Sequence, residues 1–251
     1  MKKDRNAVSA EFNGNSGHRK RLRDKFLHGG GRDLYKYEKL ELLLTYSIPR
    51  RDVKPLAKSL LNKFESLGGL MNASPEEITE IPGVGENSAA LILLVKELCT
   101  AYLEEKLYNK PLMQHTGEVA NFARMKIGGN SNETYMILYL NSRNYLLNYE
   151  CLQIGTIDRT MLYSRSMIEH VLKNKAASVI VIHNHPSGIC KPSEQDLLVS
   201  FKMVQALSAI EVKLFDHIIV SAVDFYSMAA HKELPEIPVR KKYNAKTKDF
   251  I

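Results

Sequence analysis

His183 and His185 stand one residue apart, are followed by Asp196, and close an apolar, β-branched run, Val179-Ile180-Val181-Ile182. A short continuous run of this kind reads as a strand buried on both faces. Alternate side chains of a strand share a face, so His183 and His185 project to the same side at its end. Two imidazoles side by side on a rigid strand can grip one metal ion. Pro186-Ser187-Gly188 then turns the chain, and a short loop leads to Ser193-Glu194-Gln195-Asp196, close enough for the Asp196 carboxylate to fold back. Two histidines and one carboxylate suit zinc (Zn2+) with the fourth position left to water, the arrangement of catalytic zinc. Zinc brings the pKa of its water near neutrality and so supplies a nucleophile. Ser193 and Asp196 also satisfy an S-x-x-D capping box for the next helix. The roles are compatible, because a helix N-terminus can hold Asp196 while its carboxylate faces an ion.

The order H-x-H, then Ser193, then Asp196 resembles the JAMM motif of JAB/MPN metalloproteases. The wider string His183-Asn184-His185-Pro186-Ser187-Gly188, with Gly155-Thr156 upstream, resembles the bacterial RadC family. The resemblance implies a zinc-dependent hydrolase that cleaves peptide or isopeptide bonds of a protein or peptide substrate. It also implies a glutamate on an upstream strand as proton carrier. Spacing alone does not choose among Glu133, Glu150 and Glu169. Glu150 is singled out because Glu150-Cys151-Leu152-Gln153-Ile154-Gly155-Thr156 resembles the family's E-x-L-x-x-G-T, with Gln153 where an aromatic is more usual. Ser193 would then donate a hydrogen bond to the developing oxyanion. His217 reads as a structural or supporting histidine. Cys190, with no C-x-x-C beside it, reads as a loop residue.

The elements that must position these residues follow from the pattern. Tyr135 to Leu140 and Tyr145 to Ile154 read as a hairpin, Leu162 to Asn174 as a helix with Met167, Ile168, Val171 and Leu172 inward. The histidine strand follows, then a helix over Leu197 to Ala209 and a strand over Val212 to Val220. Strands alternating with helices predict a three-layer α/β domain, here of the JAB/MPN, cytidine-deaminase-like kind that the resemblance implies, over residues 115–235. A zinc deaminase itself is set aside: that chemistry requires H-x-E together with P-C-x-x-C, and no P-C-x-x-C occurs.

The N-terminal half is helical throughout. His18 to Leu27 is a basic amphipathic helix with Leu22, Phe26 and Leu27 on its buried side. Tyr37 to Tyr46 and Val53 to Phe64 follow, and Ser74-Pro75-Glu76-Glu77 opens a short helix through an N-cap with proline at the first position. Ile81-Pro82-Gly83-Val84-Gly85 then leads into a long helix from Asn87 to Leu103. The stretch from Pro75 to Leu98 resembles a helix-hairpin-helix, as the RadC family carries ahead of its metal domain. The hairpin's backbone amides can approach a phosphate unobstructed. Residues 18–106 are therefore expected to be a helix-hairpin-helix domain, preceded by a disordered tail over 1–17. Glu104 to Gln114, with Pro111, reads as a linker, and residues 236–251 as a basic tail.

The 251 residues carry a net charge of +7, with hydrophobic content of 44% and three scattered cysteines. Hydrophobic content of this order supports a real core. The cysteines point to a reducing cytoplasm without a disulfide framework. No apolar run spans a bilayer, and the polar start lacks the apolar segment of a secretory signal. Residues 1–65 hold 16 Lys and Arg against 8 Asp and Glu. A local excess of this kind is the footprint of a nucleic-acid binder and also of a solvated helix face. The candidate DNA contacts, without sequence preference, are Arg19, Lys20, Arg21, Gly83, Val84 and Gly85. Glu80 and Glu86 flank the hairpin, and it contains no Lys or Arg of its own. The alternative to the hydrolase is a DNA-binding repair or recombination accessory protein whose metal site is structural or vestigial.

Overall fold

Leucines at helical spacing build the first of two units, which divide the chain into Met1–Tyr102 and Leu103–Ile251 in this computed structural model. It describes residues 12–153 and 165–235. Ile154, Gly155 and Thr156, most of the expected N-terminal tail and the tail over 236–251 lie outside them. Helix α1 (Phe12–Gly29) is longer than the pattern suggests and takes in residues 12–17. It packs through a narrow seam: Leu22 is buried with Leu34 and Leu42, whereas Phe26 and Leu27 are exposed. Helices α2 (Lys36–Ser47), α3 (Lys54–Phe64), α4 (Leu67–Asn72) and α5 (Pro75–Thr79), with the start of α6 (Glu86–Tyr108), enclose Leu44, Leu60, Leu70, Ile78 and Ile92. The cap read at Ser74 is present in full: Ser74 Oγ accepts from the Glu77 amide, and the Ser74 amide donates to Glu77 Oε2 at 2.8 Å.

The expected linker from Glu104 begins as helix. Helix α6 runs on to Tyr108 because Glu104, Glu105 and Lys106 are strong helix formers and Leu107 is wholly buried in the second unit's core.

The second unit is a five-stranded sheet in the order β2-β1-β3-β4-β5, with helices on both faces. Strand β1 (Thr134–Leu140) pairs antiparallel with β2 (Leu146–Gln153) and with β3 (Ser178–Asn184); β4 (Lys213–Val220) pairs parallel with β3 and antiparallel with β5 (Phe225–Ser227). Every residue of β1 and β3 is buried, which explains the unbroken apolar run before the histidines. Met136, Leu138, Ile180, Ile182, Ile218 and Val220 meet α7 (Thr116–Lys126) on one face. Tyr135, Ile137, Val179, Val181 and Leu214 meet α8 (Arg165–Lys173) and α9 (Glu194–Ser208) on the other. This is the three-layer α/β arrangement expected from the sequence. Of the four α8 residues read as inward, Met167 and Val171 are buried but Leu172 is exposed.

One irregularity matters for the site. Val179 pairs with Leu214 but Ile180 with Asp216, so β4 carries one extra residue there. Strict alternation would put Leu214 and His217 on opposite faces. The bulge puts both on the α8–α9 face, and His217 comes to lie beside His183.

Candidate metal centre

His183 is the last but one residue of β3 and is wholly buried. His185 follows just past the strand, its amide donating to the Val220 carbonyl at 2.9 Å. Their Nε2 atoms lie 3.0 Å apart. Asp196 reaches both from the first turn of α9, with Oδ1 3.2 Å from His183 Nε2 and Oδ2 3.3 Å from His185 Nε2. The three residues singled out by spacing are thus brought together. A fourth joins them: Glu133, just ahead of β1, places Oε1 4.0 Å from His185 Nε2. Ligand atoms of Glu133, His183, His185 and Asp196 all lie within 4.8 Å of one another.

Each side chain is held. The Ser193–Asp196 capping box is formed: the Asp196 amide donates to Ser193 Oγ, while the Ser193 amide and hydroxyl donate to Asp196 Oδ2 at 2.8 and 2.6 Å. Asp196 is thereby cap and candidate ligand at once. Between the histidines, buried Asn184 accepts the Thr134 amide at 2.7 Å and donates to the carbonyls of Asn130 and Asn132. It ties the backbone on either side of Glu133 to the end of β3. Tyr135 stacks on His183 with ring centroids 4.8 Å apart and fixes the plane of the imidazole. Behind His183, His217 Nε2 lies 2.9 Å from His183 Nδ1, and His217 Nδ1 lies 2.6 Å from Ser200 Oγ.

The electrostatics agree with a cation site. Burial alone would raise the Asp196 carboxyl, but hydrogen bonds from His183 and His185 outweigh it and hold the group far below the usual carboxylate range. The hydrogen bond to Asp196 raises His185 above an ordinary histidine, against the effect of its burial. Burial, joined by the neighbouring His183, keeps His217 neutral. His185 Nδ1 faces the Ile189 carbonyl at 2.7 Å. A carbonyl only accepts, so Nδ1 carries the proton and the Nε2 lone pair of the neutral ring points inward. Two ring nitrogens 3.0 Å apart beside a carboxylate need an electrophile between them, a proton or a cation. The donor set of two imidazoles and oxygen ligands fits zinc.

Other expectations resolve differently. Glu150 is not part of the cluster. It sits on β2 opposite Ile137, two strands and two residues from His183, or roughly 12 Å by sheet geometry. Its carboxylate accepts instead from Tyr139 OH at 3.1 Å and from Asn174, and pairs with His170 Nδ1. Burial raises the Glu150 carboxyl, but the hydrogen bond and charge of His170, with the bonds from Asn174 and Tyr139, together lower the group overall. Glu133, one of the three glutamates that spacing leaves open, is passed over in the sequence because it belongs to no recognised string, although it precedes the β1 run. Ser193 Oγ is committed to Asp196. Cys190 is buried outside the cluster. In the first unit Gly83 has φ of +93°, and Val84 is buried in the core. Arg19 is used internally, donating to the carbonyls of Thr45, Ile48 and Arg51 and so closing the end of α2. Lys20 and Arg21 are exposed. The hairpin lacks a cation of its own but gains one from afar: a Cβ on Gly83 would lie 2.6 Å from Arg51 Nη1.

Residues 113–234 match the RadC-like JAB domain family, and residues 15–90 match the UPF0758 N-terminal family. A UPF0758 protein of Fusobacterium nucleatum is 38% identical over 85% of this chain and 95% of its own length. A UPF0758 protein of Pseudoalteromonas translucida is 36% identical over 83% of this chain and 93% of its own. One from Burkholderia mallei is 35% identical over 82% and 74% respectively.

Proposed function

Because the chain belongs to the RadC-like JAB domain family, with the UPF0758 N-terminal region ahead of that domain, we propose that it is a zinc-dependent hydrolase of peptide or isopeptide bonds. One observation carries the reading: Glu133, His183, His185 and Asp196 converge with ligand atoms within 4.8 Å. His183, His185 and Asp196 would hold the ion, which when bound activates water and polarises a substrate carbonyl. Glu133 does the proton work. Its side chain is 24% exposed, so it reaches both the cluster and incoming substrate. It can take a proton from water held at the cluster and hand it to the leaving nitrogen. Ser193 Oγ steadies Asp196, and serves an oxyanion only by releasing that bond. The three free cysteines, Cys99, Cys151 and Cys190, suit work in the cytoplasm; no described helix is long and apolar enough to cross a membrane. Full-length protein loaded with zinc should cleave a panel of peptide and lysine-isopeptide reporters, stop when a chelator is added, and resume when zinc is restored. Zinc-loaded protein that leaves the whole panel intact speaks against the hydrolase and for a structural ion.

A second reading, DNA association through the first unit, is favoured by the Arg51 guanidinium lying against Gly83. It supplies the positive charge that the hairpin sequence lacks. Binding of the full chain to duplex DNA should weaken with salt, and Arg51→Ala should lower the slope of log affinity against log salt by about one. Binding indifferent to salt and to Arg51→Ala would remove this reading.

A further inference from the structure

Ser200 and His217 stand outside the ligand set, yet both are fully buried behind it. They link two candidate ligands by a second route. Ser200 Oγ lies 2.6 Å from the main-chain carbonyl of Asp196. His217 Nδ1 lies 2.6 Å from Ser200 Oγ, and His183 Nδ1 lies 2.9 Å from His217 Nε2. The direction of this chain is set at its closed end. A carbonyl oxygen can only accept, so the hydroxyl proton of Ser200 points at Asp196. Ser200 then has only a lone pair to offer, so His217 carries its proton on Nδ1. His217 Nε2 is left as an acceptor, and only a proton on His183 Nδ1 satisfies it. Any other order sets two acceptors or two donors against each other in a region without solvent, where an unmet polar group costs about 1–3 kcal/mol.

We propose that Ser200 and His217 are positioning residues that hold His183 in its Nδ1–H tautomer, so that the Nε2 lone pair stays presented to the ion. The proposal rests on the reading of His183 as a metal ligand. Asp196 then acts twice, through its carboxylate at the cluster and through its carbonyl as the fixed end of the chain. The bulge in β4 is what makes this possible, because it turns His217 to the face of His183. His185 reaches the same tautomer by a shorter path, through the Ile189 carbonyl. Partners of this kind typically change metal affinity 10–100-fold when removed.

The test uses the full chain. In metal-free wild type, at a pH where the rings are neutral, long-range proton–nitrogen correlation spectra should show His183 and His217 both protonated on Nδ1. By chelator competition, His217→Leu should bind zinc roughly 10–100-fold more weakly. His217→Gln, whose amide oxygen can accept from His183 Nδ1, should recover to within a few-fold of wild type, about half an order of magnitude. A merely space-filling role would move the two variants together. His183 protonated on Nε2 overturns the proposal, as does His217→Leu binding zinc like wild type, or His217→Gln doing no better than His217→Leu. The spectra of wild type decide the matter even where a variant does not fold. A wild type with the expected tautomers that takes up no zinc supports the relay and overturns the hydrolase reading instead.

Discussion

Replacing both His183 and His185 with alanine takes bound zinc from about one equivalent per chain to none, measured by elemental analysis after dialysis against trace metal. What remains at the site is Asp196 and Glu133. Two carboxylates form a hard oxygen set that suits magnesium or calcium and is a poor match for zinc. The variant also loses stability of its own. His183 is wholly buried, so its removal leaves a void and strips His217 Nε2 of its donor. That lost partner costs about 1–3 kcal/mol. Thermal unfolding of the metal-free forms separates this structural loss from loss of the ligands. A folded double variant that keeps a full equivalent of zinc in the same assay would mean that the ion, if any, sits elsewhere.

The second expectation sets one glutamate against another. Glu133→Gln lowers turnover of a cleaved reporter by about 10²–10⁴-fold while zinc content stays near that of wild type, because the amide cannot accept the proton that general-base catalysis moves. Glu150→Gln leaves turnover within a few-fold and reduces stability instead. Its carboxylate is the shared acceptor of Tyr139, His170 and Asn174. The sign of the pH effect follows from the direction of the shift. Glu150 is held below the ordinary glutamate value in the folded chain, so its contribution is present above the unfolded pKa of about 4.3 and is lost as pH falls through the folded value. The contribution is small, since both partners are partly exposed. The wild type and Glu150→Gln should therefore converge in melting temperature under acid conditions. Loss of turnover in Glu150→Gln with Glu133→Gln unaffected would reverse the assignment.

These two glutamates show where sequence patterns mislead. Glu150 has the better string around it, but a β-strand position is a location on a sheet, and two strands' width removes it from the histidines. Glu133 has no such string. It is placed by Asn184, whose buried amide ties the segment 130–134 to the end of β3. The middle residue of His183-Asn184-His185 therefore does as much for the site as a spacer could, although nothing in the spacing points to it. In the same way Arg51 is outside the hairpin in sequence and against Gly83 in space, while Arg19, a candidate for DNA by charge, spends its guanidinium on the carbonyls that end α2.

The order of residues alone was enough for much of what depends on neighbours along the chain. It specified the buried histidine strand, the convergence of His183 and His185, the Ser193–Asp196 cap, the Ser74 cap and the alternation of elements that makes an α/β domain, because period, capping and turn chemistry act over a few residues. Folding in three dimensions settled what depends on distant segments meeting. It chose the glutamate at the cluster, and it turned His217 towards His183 through a single extra residue in β4. An insertion of one residue reverses the facing of all that follows in a strand, and no local pattern records which rung of the ladder takes it.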